Sequence, residues 1–144
     1  MASLPLGDRT LTESDHLQLT RLIERTGRAP APAPLRDVLD AADIVPEAEL
    51  PADVVSMYSR VLLVAADAGS PHTLTLCYPA DANAATGHVS VTSPVGSSVL
   101  GMRAGCVARW RTPDGATGTA EIAEVLFQPE SQRARRGALS IRSA

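Results

Sequence analysis

The chain has 144 residues and 15.0 kDa, with 13 basic groups, all arginine, against 16 acidic ones and a formal net charge of -3. That balance argues against a protein that coats nucleic acid, which needs a basic surface, and four aromatic residues are too few for a base-stacking platform or an aromatic-lined pocket. At 44% hydrophobic and 20% charged, the chain can bury a core of one domain, or one domain with a small appendage.

Charge is unevenly placed. Residues 1–50 carry five arginines against nine acids, and residues 51–130 carry four against seven. Residues 131–144 hold four arginines and no acid, which reads as a basic, flexible tail. The chain does not open on a signal peptide and contains no apolar run near the roughly 20 residues of a membrane span. The expectation is a cytoplasmic protein without membrane contact. Cys77 and Cys106 lie in apolar surroundings and are expected as reduced thiols.

Thr12-Glu13-Ser14-Asp15 places a hydroxyl three residues before a carboxylate, a helix-start signature. Leu19, Leu22, Ile23 and Thr26 then form one apolar stripe, and Gly27 ends the helix. The prolines at 30, 32 and 34 forbid its continuation. Pro34 opens a second helix of equal length with the stripe Leu35, Val38, Leu39 and Ala42, stopped by Pro46. Two such helices predict a short antiparallel hairpin whose tip carries Arg28, Pro30 and Pro32. The alternative is that both stripes pack on the main core. The Pro-flanked acidic stretch 47–53 sets the expected domain boundary, dividing the chain into 1–50, 51–130 and the tail 131–144.

Beyond it the apolar period changes from 3.6 to 2. Arg60–Ala65, Thr73–Tyr78, Val89–Thr92, Cys106–Arg111 and Thr117–Phe127 read as five strands, the last two joined through Pro113-Asp114-Gly115. Between the third and fourth, Ser93–Met102 suits a turn and short helix with Val95, Val99, Leu100 and Met102 on one face. The fold class is α+β: a helical hairpin, then a twisted antiparallel meander of about five strands with one short helix.

Catalytic machinery is not expected. His16, His72 and His88 are scattered without metal-ligand spacing, and a chain without lysine has no P-loop lysine. Asp37, Asp40 and Asp43 recur on the second helix as a solvated acidic face, and Ser97 or Ser98 reads as a helix cap rather than a nucleophile. No metal, no cofactor and no enzymatic activity are expected.

A resemblance adds to this. Pro51–Val61, then Tyr78–Ala82, then Gly87–Met102 with its Ser93-Pro94-Val95-Gly96-Ser97-Ser98 run, and the closing Val125–Glu130 stretch resemble, in order and spacing, the Rnk and GreA/GreB family of transcription factors. The resemblance covers roughly residues 51–130, and 12–46 by architecture only. It implies an FKBP-like domain docking on bacterial RNA polymerase at the rim of its secondary channel, with DNA or RNA met only within the polymerase complex. Contacts are expected on Met57, Arg60, Ser93, Pro94, Val95, Gly96, Ser97 and Met102. The longer Gre coiled coil carries an acidic pair at its tip that holds a catalytic metal. Residues 27–34 contain no acid, and Glu24 and Asp37 are the nearest carboxylates. Tyr58 and Cys106 also depart from the family pattern, Cys106 standing where an aspartate is usual. The expectation is therefore a non-enzymatic polymerase-binding regulator without cleavage stimulation. Three alternatives stay open: an indirect regulator of nucleoside diphosphate kinase, a cleavage factor proper, and a scaffold pairing its Leu19 and Leu35 stripes between chains, since the oligomeric state is not encoded in these patterns.

Overall fold

The computed structural model describes residues 9–25, 33–65, 70–112 and 114–132. The expected tip residues Arg28, Pro30 and Pro32, and most of the basic tail, lie outside the described residues.

The chain enters through a short strand β1 (Thr10–Thr12) and runs directly into helix α1 (Glu13–Arg25). Thr12 caps that helix as its sequence predicts: its Oγ1 accepts the Asp15 N–H at 3.0 Å. Helix α2 (Ala33–Ala41) leads into strand β2 (Asp43–Val45), which pairs in parallel with β1, Leu11 opposite Ile44. The helices differ in length, 13 residues against 9. The second stops early because Ala42 leaves the helix and Asp43 already belongs to β2. Asp43 is thus not on the face of Asp37 and Asp40, although all three are exposed.

The main sheet contains β3 (Arg60–Ala65), β4 (Pro71–Cys77), β5 (His88–Ser90), β6 (Val107–Arg111) and β7 (Thr117–Phe127) in the order β5-β4-β3-β7-β6. Two features depart from an antiparallel meander. β4 and β5 run parallel, and β3 pairs with the distant β7. The first follows from the connection between β4 and β5, which makes two 3-10 turns instead of a tight hairpin. Asn83 caps the second turn by accepting the Ala85 N–H at 3.0 Å, and Gly87 closes it with φ of +76°.

Helix α3 (Pro94–Val99) packs against β5 and β6. Leu19 of α1 and Leu35, Val38 and Leu39 of α2 share one hydrophobic cluster with Val61, Leu63, Leu76, Val99, Leu100 and Ile122. Both helical stripes therefore bury against the sheet's own core. Full burial of one such leucine stabilises by about 1.5–3 kcal/mol. Polar ties reinforce the junction. Thr10 N–H donates to Gly101 O at 2.9 Å, Met57 N–H to Asp15 Oδ2 at 3.1 Å, and His16 Nε2 lies 3.0 Å from Leu39 O.

The segment after β7 folds back on residues 51–59. Gln128 Nε2 donates to Pro51 O and Val54 O, both at 2.8 Å, and buried Glu130 Oε1 accepts from Ser56 Oγ at 2.6 Å. Ser56 Oγ also lies 2.9 Å from Ser59 Oγ, so these buried polar groups satisfy one another. Cys77 is buried, Cys106 partly so, and both are free thiols. Among the described residues no helix is long and apolar enough to cross a membrane.

Candidate functional site

The expected contact segment begins at Ser93, which has extended backbone (φ −74°, ψ 159°) and caps α3. Its Oγ accepts the Gly96 N–H at 3.0 Å while donating to Ser90 O at 2.7 Å. Pro94 then takes the first helical position, where a missing N–H costs nothing. The cap is Ser93, not Ser97 or Ser98. Those two hydroxyls turn back onto their own helix, Ser97 Oγ to Ser93 O at 3.0 Å and Ser98 Oγ to Val95 O at 2.7 Å.

Gly96 is set by close approach. A Cβ there would lie 2.0 Å from Ser90 O, so only glycine lets α3 sit down on the end of β5. The result is a short, rigid projection. Pro94 is exposed, and Ser93 and Val95 are half-buried.

The other expected contact residues divide. Met57, Gly96, Ser97 and Met102 are buried, so they support the surface from beneath and cannot present side chains to a partner. Met57 and Met102 belong to the core cluster because flexible thioethers fill irregular gaps in it. Arg60 is exposed at the start of β3, in register between Thr75 and the 44% exposed Phe127.

Trp110 was not among the expected residues, yet the surface is organised around it. It lines three adjoining cavities of about 580, 310 and 470 Å³; Pro94 lines the first and third, and Val95 the second and third. Trp110 stands opposite Gly118 in the β6–β7 ladder. A Cβ on Gly118 would come within 2.4 Å of the indole, so the ring lies flat over a bare stretch of backbone. A lone tryptophan on an edge strand, with glycine near a hairpin partner position, was the available signal.

Tyr58 is the one described non-glycine residue with positive φ, at 66°. Its hydroxyl donates to Asp81 Oδ2 at 2.6 Å, and its ring lies 5.7 Å from that of Tyr78, tilted by 57°. The bond to Asp81 is the main reason its phenol is pushed up to about 12, with burial and the Asp81 charge adding to it. Burial pushes the Tyr78 phenol and the Cys77 thiol up as well. Among the described residues no three His, Cys, Asp or Glu side chains gather as a metal site.

Residues 50–127 match the family model described as "Transcription elongation factor, GreA/GreB, C-term". The chain belongs to the GreA/GreB family. It is 33% identical over 123 residues to the "Regulator of nucleoside diphosphate kinase" of Escherichia coli strain K12, covering 84% of this chain and 90% of that protein. It is also 33% identical over 94 residues to the "Transcription elongation factor GreA" of Rhodopseudomonas palustris strain TIE-1, covering 65% of this chain and 59% of that one. Among solved structures, a "Prokaryotic transcription elongation factor GreA/GreB" from Nitrosomonas europaea superposes with a TM-score of 0.70 at 30% identity, covering 83% of this chain and 99% of that chain. As a Gre-like transcription factor family member, the chain places its Ser93–Val95 projection, Trp110 and the β6 edge inside the matched region.

Proposed function

We propose that the chain is a non-enzymatic transcription regulator that binds RNA polymerase through the Ser93–Val95 projection and the apolar surface beside it, near the secondary channel. The observation that carries this reading is the pairing of an exposed Pro94, fixed by the Ser93 cap and the Gly96 contact, with the depression around Trp110. A preformed projection loses little entropy on docking, and an apolar depression offers the buried centre an interface needs. The sheet unit serves as the FKBP-like docking domain, with α1 and α2 packed back on its core. The sequence joining them, residues 26–32, contains no carboxylate, which argues against holding a catalytic metal there and against stimulated transcript cleavage.

The test is co-elution of the folded chain with core RNA polymerase, followed by addition to a backtracked elongation complex. Binding without transcript shortening is expected. Failure to bind at micromolar concentration overturns the docking reading, and shortened transcripts overturn the non-enzymatic one.

A second reading rests on the name of the Escherichia coli relative. In it the chain alters nucleoside diphosphate kinase through expression rather than contact. Purified kinase should then keep its rate when the chain is added, and a direct change in rate would contradict an indirect effect.

A further inference from the structure

Helix α3 ends without donors of its own. The N–H that helical geometry would bring to Ser97 O is that of Gly101, and it donates instead to Val55 O at 2.8 Å. Leu100 is the residue after the last helical one, so its carbonyl also lies beyond the helix's own N–H groups. A helix of six residues with open carbonyls at its end should fray.

Both carbonyls are met by one side chain from the other end of the sequence. Arg9 Nη1 donates to Leu100 O at 2.8 Å and to Ser97 O at 3.1 Å. Charge favours the arrangement as well, because the last carbonyls of a helix carry partial negative charge. Among the described residues Arg9 forms no ion pair, so these carbonyls are its charge-assisted partners. The backbone beneath it is fixed on two sides. Asp43 N–H donates to Arg9 O, and Thr10 N–H donates to Gly101 O, each at 2.9 Å. Gly101 has φ of +78°, and a Cβ on it would lie 3.2 Å from Thr10 O, so β1 rests directly against the chain leaving α3.

We propose that Arg9 is a positioning residue for the docking projection: by capping the last carbonyls of α3 it holds Ser93–Val95 in the geometry a partner meets. This rests on the docking reading above and adds that the family-matched region, residues 50–127, does not carry its docking surface alone. Gly96 seats the start of α3 on β5, and Arg9 seats its end. With the end released, the helix can shift about the Gly96 contact, and the projection must be ordered again on docking.

The test uses the full chain with Arg9→Met, which keeps an apolar stem and removes the donors, and Arg9→Lys, which restores a cation. Hydrogen exchange is measured without polymerase, and affinity for core RNA polymerase separately, once circular dichroism shows each variant folded. In Arg9→Met the Ser98, Val99 and Leu100 amides should exchange about tenfold faster relative to those of Val61 and Leu63 in β3. Polymerase affinity should fall about tenfold, and Arg9→Lys should recover most of both losses. If Arg9→Met does not fold, Arg9→Gln, whose amide is too short to reach both carbonyls, takes its place with the same expectations. Four results overturn the proposal: unchanged α3 exchange, faster exchange with unchanged affinity, no recovery with lysine, or loss of the whole fold in both the Met and Gln variants. A folded parent that does not bind polymerase would instead overturn the docking reading, and the exchange measurement would still decide whether Arg9 holds α3.

Discussion

Helices α1 and α3 belong to one core but are held in opposite ways. α1 has 13 residues and buries one of them, Leu19, whereas α3 has six and buries four, Gly96 to Val99. α1 is fixed by polar ties at its start, the Thr12 cap, the Asp15–Met57 bond and the His16–Leu39 contact, and by buried Leu19 with partly buried Leu22 and Ile23 on the core. α3 is fixed by backbone approach, with Gly96 against Ser90 and Arg9 on its last carbonyls. Length of helix is therefore a poor guide to its part in the fold. The short element is the rigid one, which suits a docking projection. The long element is the more open to local opening, because Leu19 alone of its residues is fully buried.

The contrast breaks most severely at Gly96. Gly96→Ala places a Cβ 2.0 Å from Ser90 O and must displace backbone. It should cost more than about 3 kcal/mol or prevent folding, as read by urea denaturation. A loss under about 1 kcal/mol would mean that α3 is not seated by that contact.

Leu19→Ala is the corresponding test for α1. It should cost about 2–4 kcal/mol. Hydrogen exchange should localise that loss, with protection falling first in α1 and α2 and persisting in β3 and β7. Uniform loss across all elements would erase the distinction between the two helices.

Ser93→Ala sharpens the comparison at smaller scale. Removing the cap leaves the Gly96 N–H without its acceptor and should cost about 1 kcal/mol in thermal unfolding, with the fold retained. Thr12→Ala should cost a similar amount, about 1 kcal/mol, because Thr12 makes the equivalent bond for α1.

The smallest effect is a pH effect. The Tyr58 phenol is raised from 10.0 to about 12, so its bond to Asp81 is fully present below pH 10 and is lost as pH rises toward about 12. Near-ultraviolet titration of the native chain should show phenolate appearing late, and Tyr58→Phe should remove that step with little change in stability at neutral pH. A Tyr58 step near pH 10 would contradict the Asp81 bond.

Much of this architecture is written in local pattern. The Thr12 cap and the Arg60–Ala65 and Thr117–Phe127 strands are where periodicity and turn residues place them. What pattern does not carry is pairing. β1 and β2 have three residues each, too few to show alternation, and become strands only because they lie side by side. The parallel union of β4 and β5 is likewise invisible, since alternation encodes which face is buried and not which way a neighbour runs. The same holds for the surface. Ser93, Pro94 and Val95 were visible as an exposed turn, but the burial of Met57 and Met102 depends on contacts far along the chain. Arg9 lines one cavity with Trp110 although the two stand far apart in the chain. Separation in sequence hid them.

The most direct measurement is the affinity of core RNA polymerase for the chain and for Pro94→Glu. An acidic residue at the first position of α3 suits the helix N-terminus, so the variant should fold and melt like the parent. The account requires that the parent binds in the micromolar range and that the variant, equally folded, binds at least about tenfold more weakly. Equal affinity of the two, or no binding by the folded parent, would contradict it.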